Sequence, residues 1–214
     1  MRLFLSSQDL GNYADVVAKM AGKNKKALYI KNAQDDLPPE QRNWSTPEKK
    51  KMFEVAGFTF EEIDLRDYFG KSDKLAKKLS TAGSFWSSGG NTFILRRAMQ
   101  ASGLDKILKK LLKEDKILYG GWSAGAMIMT PDLKGSDWGE EDRPGVVPKG
   151  YDAKIIWQGL GQVPFYIVPH HKNEKFGDGP RATIEYFKSR KLPHYVLEDG
   201  QVIVVNGNKV EFLK

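Results

Sequence analysis

Short apolar, β-rich runs recur along this chain, separated by stretches of helical periodicity, and this alternation constrains its fold more than any other feature. The runs are Leu3–Ser6, Ala27–Lys31, Phe58–Leu65, Ser84–Ser88, Ile117–Trp122, Val163–Val168, Tyr195–Leu197, Val202–Val205 and Lys209–Phe212. Such alternation points to an α/β fold, a mostly parallel sheet with helices on both faces in three layers, α/β/α. With 214 residues, the chain fits one domain, 1–214, around one core.

Local signals place individual elements. Asp9 reads as the N-cap of a helix over Asp9–Met20, which Gly22 ends. In Ser45-Thr46-Pro47-Glu48 the proline suits the first position of another helix. From Leu104 to Lys113, leucines and Ile107 fall on one helical face and Lys106, Lys109, Lys110 and Lys113 on the other. Asn206-Gly207, between two apolar runs, signals a hairpin, because this pair tolerates positive φ. That antiparallel tail is expected to cap one sheet edge. Residues 131–150 hold Pro131, Pro144 and Pro148 and the acids Asp132, Asp137, Glu140, Glu141 and Asp142, so they read as a long surface loop bordering a functional site.

Composition narrows the chemistry. The chain has no cysteine, which excludes disulfides, thiolate metal sites and a cysteine nucleophile. Covalent catalysis must therefore use oxygen or nitrogen. The formal charge of +7 raises the question of a nucleic-acid partner. Yet the lysines lie on helix faces, with further clusters at Lys23, Lys25 and Lys26 and at Lys49, Lys50 and Lys51, and no aromatics interleave them as a stacking platform requires. They read as solvated faces, and no nucleic acid is expected. No apolar stretch is long enough to span a bilayer, and Met1–Ser7 reads as a first strand, so a cytoplasmic location without a membrane partner is expected.

Two glycine-rich turns and one histidine carry the functional signal. Ser123 stands in Gly121-Trp122-Ser123-Ala124-Gly125, between the run Ile117–Trp122 and a helix start. A serine on a tight strand-to-helix turn, flanked by small residues, fits a nucleophile elbow. Helix capping and close strand–helix packing would explain the same residues without catalysis. Ser87-Ser88-Gly89-Gly90-Asn91-Thr92 forms a similar turn after another run. Parallel strands gather such turns at one sheet edge, so the Gly90 and Ala124 N–H groups are candidates for an oxyanion hole. Asn91 is a candidate substrate contact, or, with Thr92, a plain helix N-cap.

A serine nucleophile needs a base, and the histidines are His170, His171 and His194. His170 follows Val168-Pro169 at the end of an apolar run, on the rim expected for Ser123. His171 should point the other way, and His194 precedes the next strand, at the far edge. Three acids could orient His170: Asp137 in the long loop, or Glu198 and Asp199 after Tyr195–Leu197.

With Ser88-Gly89-Gly90-Asn91-Thr92-Phe93, Gly121-Trp122-Ser123-Ala124-Gly125-Ala126 and Val168-Pro169-His170 in this order, the chain resembles the peptidase E family of aspartyl dipeptidases, relatives of cyanophycinase. The resemblance implies a class I glutamine amidotransferase-like, flavodoxin-like fold with serine in place of cysteine. It also implies a Ser-His-acid mechanism on short peptides, with no metal and no cofactor. Position by position it assigns Ser123 as nucleophile, His170 as base, Gly89-Gly90 and Ala124 as oxyanion donors, and Asp137, by spacing, as acid. Members that cleave after an N-terminal aspartate use an arginine downstream of the histidine, and Arg181 is the nearest candidate. Two rival readings are an α/β-hydrolase-type esterase, which the short chain argues against, and a non-catalytic peptide-binding member of the fold. The oligomeric state, monomer or dimer, is left open.

Overall fold

The apolar runs pair with partners far away in sequence. A computed structural model describes residues 1–138 and 142–214, so Glu140 and Glu141 of the acidic loop lie outside the described residues. The strands are β1 (Arg2–Ser6), β2 (Lys26–Ile30), β3 (Thr59–Glu62), β4 (Ser84–Ser87), β5 (Leu118–Trp122), β6 (Tyr166–Val168), β7 (His194–Val196), β8 (Val202–Asn206) and β9 (Lys209–Leu213). The helices are α1 (Ala14–Ala21), α2 (Pro39–Asn43), α3 (Thr46–Val55), α4 (Ser72–Leu79), α5 (Thr92–Ser102), α6 (Leu104–Lys113), α7 (Ala124–Met127) and α8 (Gly179–Ser189).

Seven strands form one sheet in the order β3-β2-β4-β5-β1-β8-β9, parallel from β3 to β1 and antiparallel beyond. Side chains alternate across each strand, which sorts the core into two faces. Leu3, Leu5, Leu28, Ile30 and Phe85 pack with Leu75 of α4, Leu95 of α5 and Leu108 of α6, while Phe4, Tyr29 and Trp86 pack with Val17 of α1 and Phe53 of α3. Both faces are thus covered, giving the expected three layers, and the β8–β9 hairpin, turning at Gly207 with φ 60°, caps one edge as expected.

Register determines what meets at the rim. Ser6 lies opposite Trp122, and Ser87 opposite Gly121, so the residues that follow these strands, Ser7, Ser88-Gly89 and Ser123, emerge side by side. Two expectations need correction. The apolar run ending at Val168 does not join the main sheet: β6 pairs in parallel with β7 as a separate two-stranded sheet. Asp9 does not cap a helix either. It has φ 50°, helix α1 begins at Ala14, and the Asp9 carboxylate pairs with Lys49 at 2.9 Å. Lys49 is consequently mostly buried, unlike the solvated lysine expected there.

The long loop is held by α5. Asn91 Nδ2 donates to the Arg143 carbonyl at 3.0 Å, and the Asp142 carboxylate accepts from the Thr92 N–H at 2.6 Å. Arg97, 2% exposed, donates to the carbonyls of Pro144, Val146, Ala153 and Lys154. Arg96 donates to the Gln158 carbonyl and pairs with Asp105. A buried guanidinium serves here as a template for irregular backbone, its planar donors replacing water for carbonyls that lack strand partners. Removing it strands several acceptors, each costing about 1–3 kcal/mol if left unsatisfied. Arg97→Ala is therefore expected to lose about 3 kcal/mol in urea unfolding and to open the segment 142–154 to limited proteolysis. A loss below about 0.5 kcal/mol would show that water replaces the guanidinium.

Candidate active site

The turn after β5 is strained. Ser123 has φ 51° and ψ −118°, outside the wells open to an L-residue, and α7 starts at the next residue. Small neighbours permit it. A Cβ on Gly121 would lie 2.4 Å from the Gly125 carbonyl oxygen, and one on Gly125 would lie 2.4 Å from that of Ser87. Strand, elbow and helix thus touch backbone to backbone. As the first residue of α7, Ala124 has an N–H that precedes the intrahelical ladder.

The Ser88-Gly89-Gly90 turn lies against this elbow. A Cβ on Gly89 would come within 3.0 Å of the Ser123 Cβ and 3.4 Å of its Oγ. Gly90 has φ 130°, a region essentially limited to glycine. Gln34 Nε2 donates to the Gly89 carbonyl at 3.0 Å. A trans peptide directs its C=O and N–H oppositely, so this bond turns the Gly90 N–H away from Gln34. Asn91 is 3% exposed; its oxygen accepts from the Phe93 and Ile94 N–H groups and its amide holds the loop. The capping reading of Asn91 is the one its contacts favour.

His170 reaches the rim from β6, through Pro169. Its φ is 61°, and its N–H donates to Ser7 Oγ at 2.8 Å. Nδ1 lies 2.7 Å from Asp199 Oδ1. The same oxygen accepts from Ser7 Oγ at 2.7 Å, and Asn173 Nδ2 donates to Oδ2 at 2.6 Å. The Phe176 ring stacks on the imidazole at 3.7 Å between centroids, 3° from parallel. Both the position and the plane of the ring are thereby fixed. Burial works against the charged form of Asp199, but hydrogen bonds from Ser7, Asn173 and His170 outweigh it and hold the carboxyl below the usual aspartate range.

Ser123 and His170 line one cavity of about 450 Å³. Its walls include Ser136, Trp138 and Asp142 from the long loop and Phe176 to Pro180 leading into the first turn of α8, so that loop does border the cavity. Asp137, by contrast, is exposed, and the carboxylate against Nδ1 belongs to Asp199. Spacing along an irregular loop does not determine where its side chains end, so the spacing that singled out Asp137 does not predict which carboxylate meets His170. Arg181 also stays apart: its side chain is 81% exposed and pairs with Asp178 at 3.6 Å. His171 faces a separate shallow depression with Lys172 and Glu198, and His194 Nδ1 bonds the Leu192 carbonyl.

Four supporting residues escaped the sequence reading: Ser7, Gln34, Asn173 and Phe176. Only Ser7 left a signal, a hydroxyl just past a strand bound for the rim. A hydroxyl on a strained elbow, an imidazole braced by a carboxylate and adjoining backbone amides together can carry out nucleophilic acyl transfer. Among the described residues no cluster of histidines and carboxylates is placed to hold a metal ion, and no helix is long and apolar enough to cross a membrane.

Because the Asp199 pKa is depressed on folding, its contribution to stability is complete above the unfolded value of about 3.9 and is lost as pH falls through the lower folded value. In urea unfolding, the gap between wild type and Asp199→Asn should hold steady at pH 5 and narrow below about pH 4. A gap unchanged down to pH 2.5 would mean that Asp199 is not held as the anion.

Comparison with known proteins matches residues 3–213 to the model of peptidase family S51. An uncharacterized peptidase of Pasteurella multocida (strain Pm70) is 27% identical over 208 residues, covering 96% of this chain and 94% of the relative. A peptidase E of Nostoc sp. (strain PCC 7120 / SAG 25.82 / UTEX 2576) is 34% identical, covering 77% of this chain and 63% of the relative. The crystal structure of a candidate peptidase E from Listeria monocytogenes EGD-e superposes with a TM-score of 0.81 at 22% identity, covering 100% of this chain and 98% of that one, a likeness of fold.

Proposed function

This chain belongs to peptidase family S51 and is a serine peptidase, and from that premise we propose that it hydrolyses short peptides with Ser123 as nucleophile, His170 as base and Asp199 as the acid that orients it. The observation that carries this reading is the 2.7 Å contact between His170 Nδ1 and Asp199 Oδ1, beside the cavity that holds the Ser123 elbow. With Nδ1–H donated to the carboxylate, Nε2 keeps its lone pair for the serine proton. Ser123 Oγ attacks the peptide carbonyl carbon while its proton passes to Nε2. The resulting oxyanion is held by the N–H groups of Ala124 and Gly90, each donor contributing about 2.7–4 kcal/mol in comparable enzymes. Collapse breaks the C–N bond as the amine takes the proton from His170. Water then attacks the acyl-enzyme by the same route and frees Ser123.

Ser7 is a positioning residue in this scheme, since it touches the base and the acid and none of the reacting atoms. A preference for N-terminal aspartate forms no part of the reading, because Arg181 faces solvent.

Labelling of the folded chain with a fluorophosphonate tests the assignment. Ser123 should be the residue modified, and His170→Ala should abolish labelling. Asp199→Asn should slow it by about 10²–10⁴-fold, as when a triad acid is neutralised. Asp137→Asn should leave the rate within about twofold of wild type. Normal labelling of Asp199→Asn alongside loss in Asp137→Asn would reverse the assignment of the acid. An unreactive Ser123 would favour a non-catalytic member of the fold.

A further inference from the structure

The cavity beside Ser123 has a definite chemical character. Met127, Val168, Phe176 and Ala182 give it an apolar lining. Among the described residues, its charged groups are the carboxylates of Asp142 and Asp178 and the ammonium of Lys175, and Asp178, 90% exposed and paired with Arg181, is screened by water. Asp142 is anchored to the start of α5, accepting from the Thr92 N–H, which keeps it in the wall. Lys175 is an exposed residue whose Nζ stands 5.7 Å from the Phe176 ring centroid, and water screens a charge so placed. No described guanidinium lines the cavity, and Arg181 is turned to solvent. A carboxylate entering such a space gives up water, meets the carboxylate of Asp142, and gains no bidentate partner among the described residues. An apolar side chain gains contact at every wall.

Resting on the serine-peptidase reading, we infer that this cavity selects an apolar side chain, such as that of leucine, methionine or phenylalanine, on one residue of the scissile bond and rejects an acidic one. The selectivity comes from burial against the apolar lining, with the anchored Asp142 carboxylate as the repulsive element.

The test uses the full chain and two dipeptide series, Xaa-Ala and Ala-Xaa, with released amino acids measured by mass spectrometry. At one of the two positions, kcat/KM for leucine, methionine or phenylalanine should exceed that for aspartate and glutamate by about tenfold or more. Ala182→Phe, which fills the cavity, should erase that advantage. Asp142→Asn, which removes the charge held in the wall, should raise cleavage of the acidic substrates relative to leucine by roughly threefold or more. Equal or faster cleavage of acidic residues at both positions overturns the inference. So does the absence of cleavage in both series by a chain whose Ser123 still reacts with fluorophosphonate, an outcome that leaves the nucleophile assignment standing. A chain inert to fluorophosphonate and dipeptides alike fails the underlying reading, and this one with it.

Discussion

The site depends on the docking of one sheet against another. Ser123 and the glycine turns belong to the seven-stranded sheet, whereas His170 follows a strand of the two-stranded one. Ser7 Oγ joins them, accepting from the His170 N–H and donating to Asp199. Within the two-stranded unit the ladder runs on past its strands, the Leu197 N–H donating to the Val168 carbonyl and the His171 N–H to that of Leu197, which holds the His170 and Asp199 segments side by side. A hydroxyl suits this junction because it donates and accepts at once, whereas an amine or a carboxylate in its place would leave one partner unmatched.

Much of the architecture was legible because it is encoded in local periodicity. The strands fall within two residues of the apolar runs at most boundaries, α6 spans the stretch from Leu104 to Lys113, and Gly22 caps α1. Asp9 misled because a helix N-cap and a turn residue with positive φ draw on the same residue types, and only Lys49, forty positions on, distinguishes them. The separate β6–β7 pairing was hidden for another reason. Both strands have three residues, and an apolar run that short does not encode its partner.

The candidate site divides along the same line. The tight turns at Ser123 and Gly90 were legible because a strained backbone demands particular residues at fixed offsets. The carboxylate that meets His170 could not be chosen, since Asp137, Glu198 and Asp199 are equivalent as text and differ only in where the chain carries them. Arg97 gave no sign of its role either. An arginine on a helix usually reads as surface, and what buries this one is a set of carbonyls from a segment some fifty residues away.

Asp199 also bears on how the molecule is made. It lies in the turn between β7 and β8, and β8 is aligned antiparallel to β1 with Val202 opposite Ser6. The carboxylate is thus set by a zipper between early and late parts of the chain. A chain whose late strands are unpaired holds no carboxylate in place beside His170. Closure of this sheet edge and the bracing of His170 are thus one structural event.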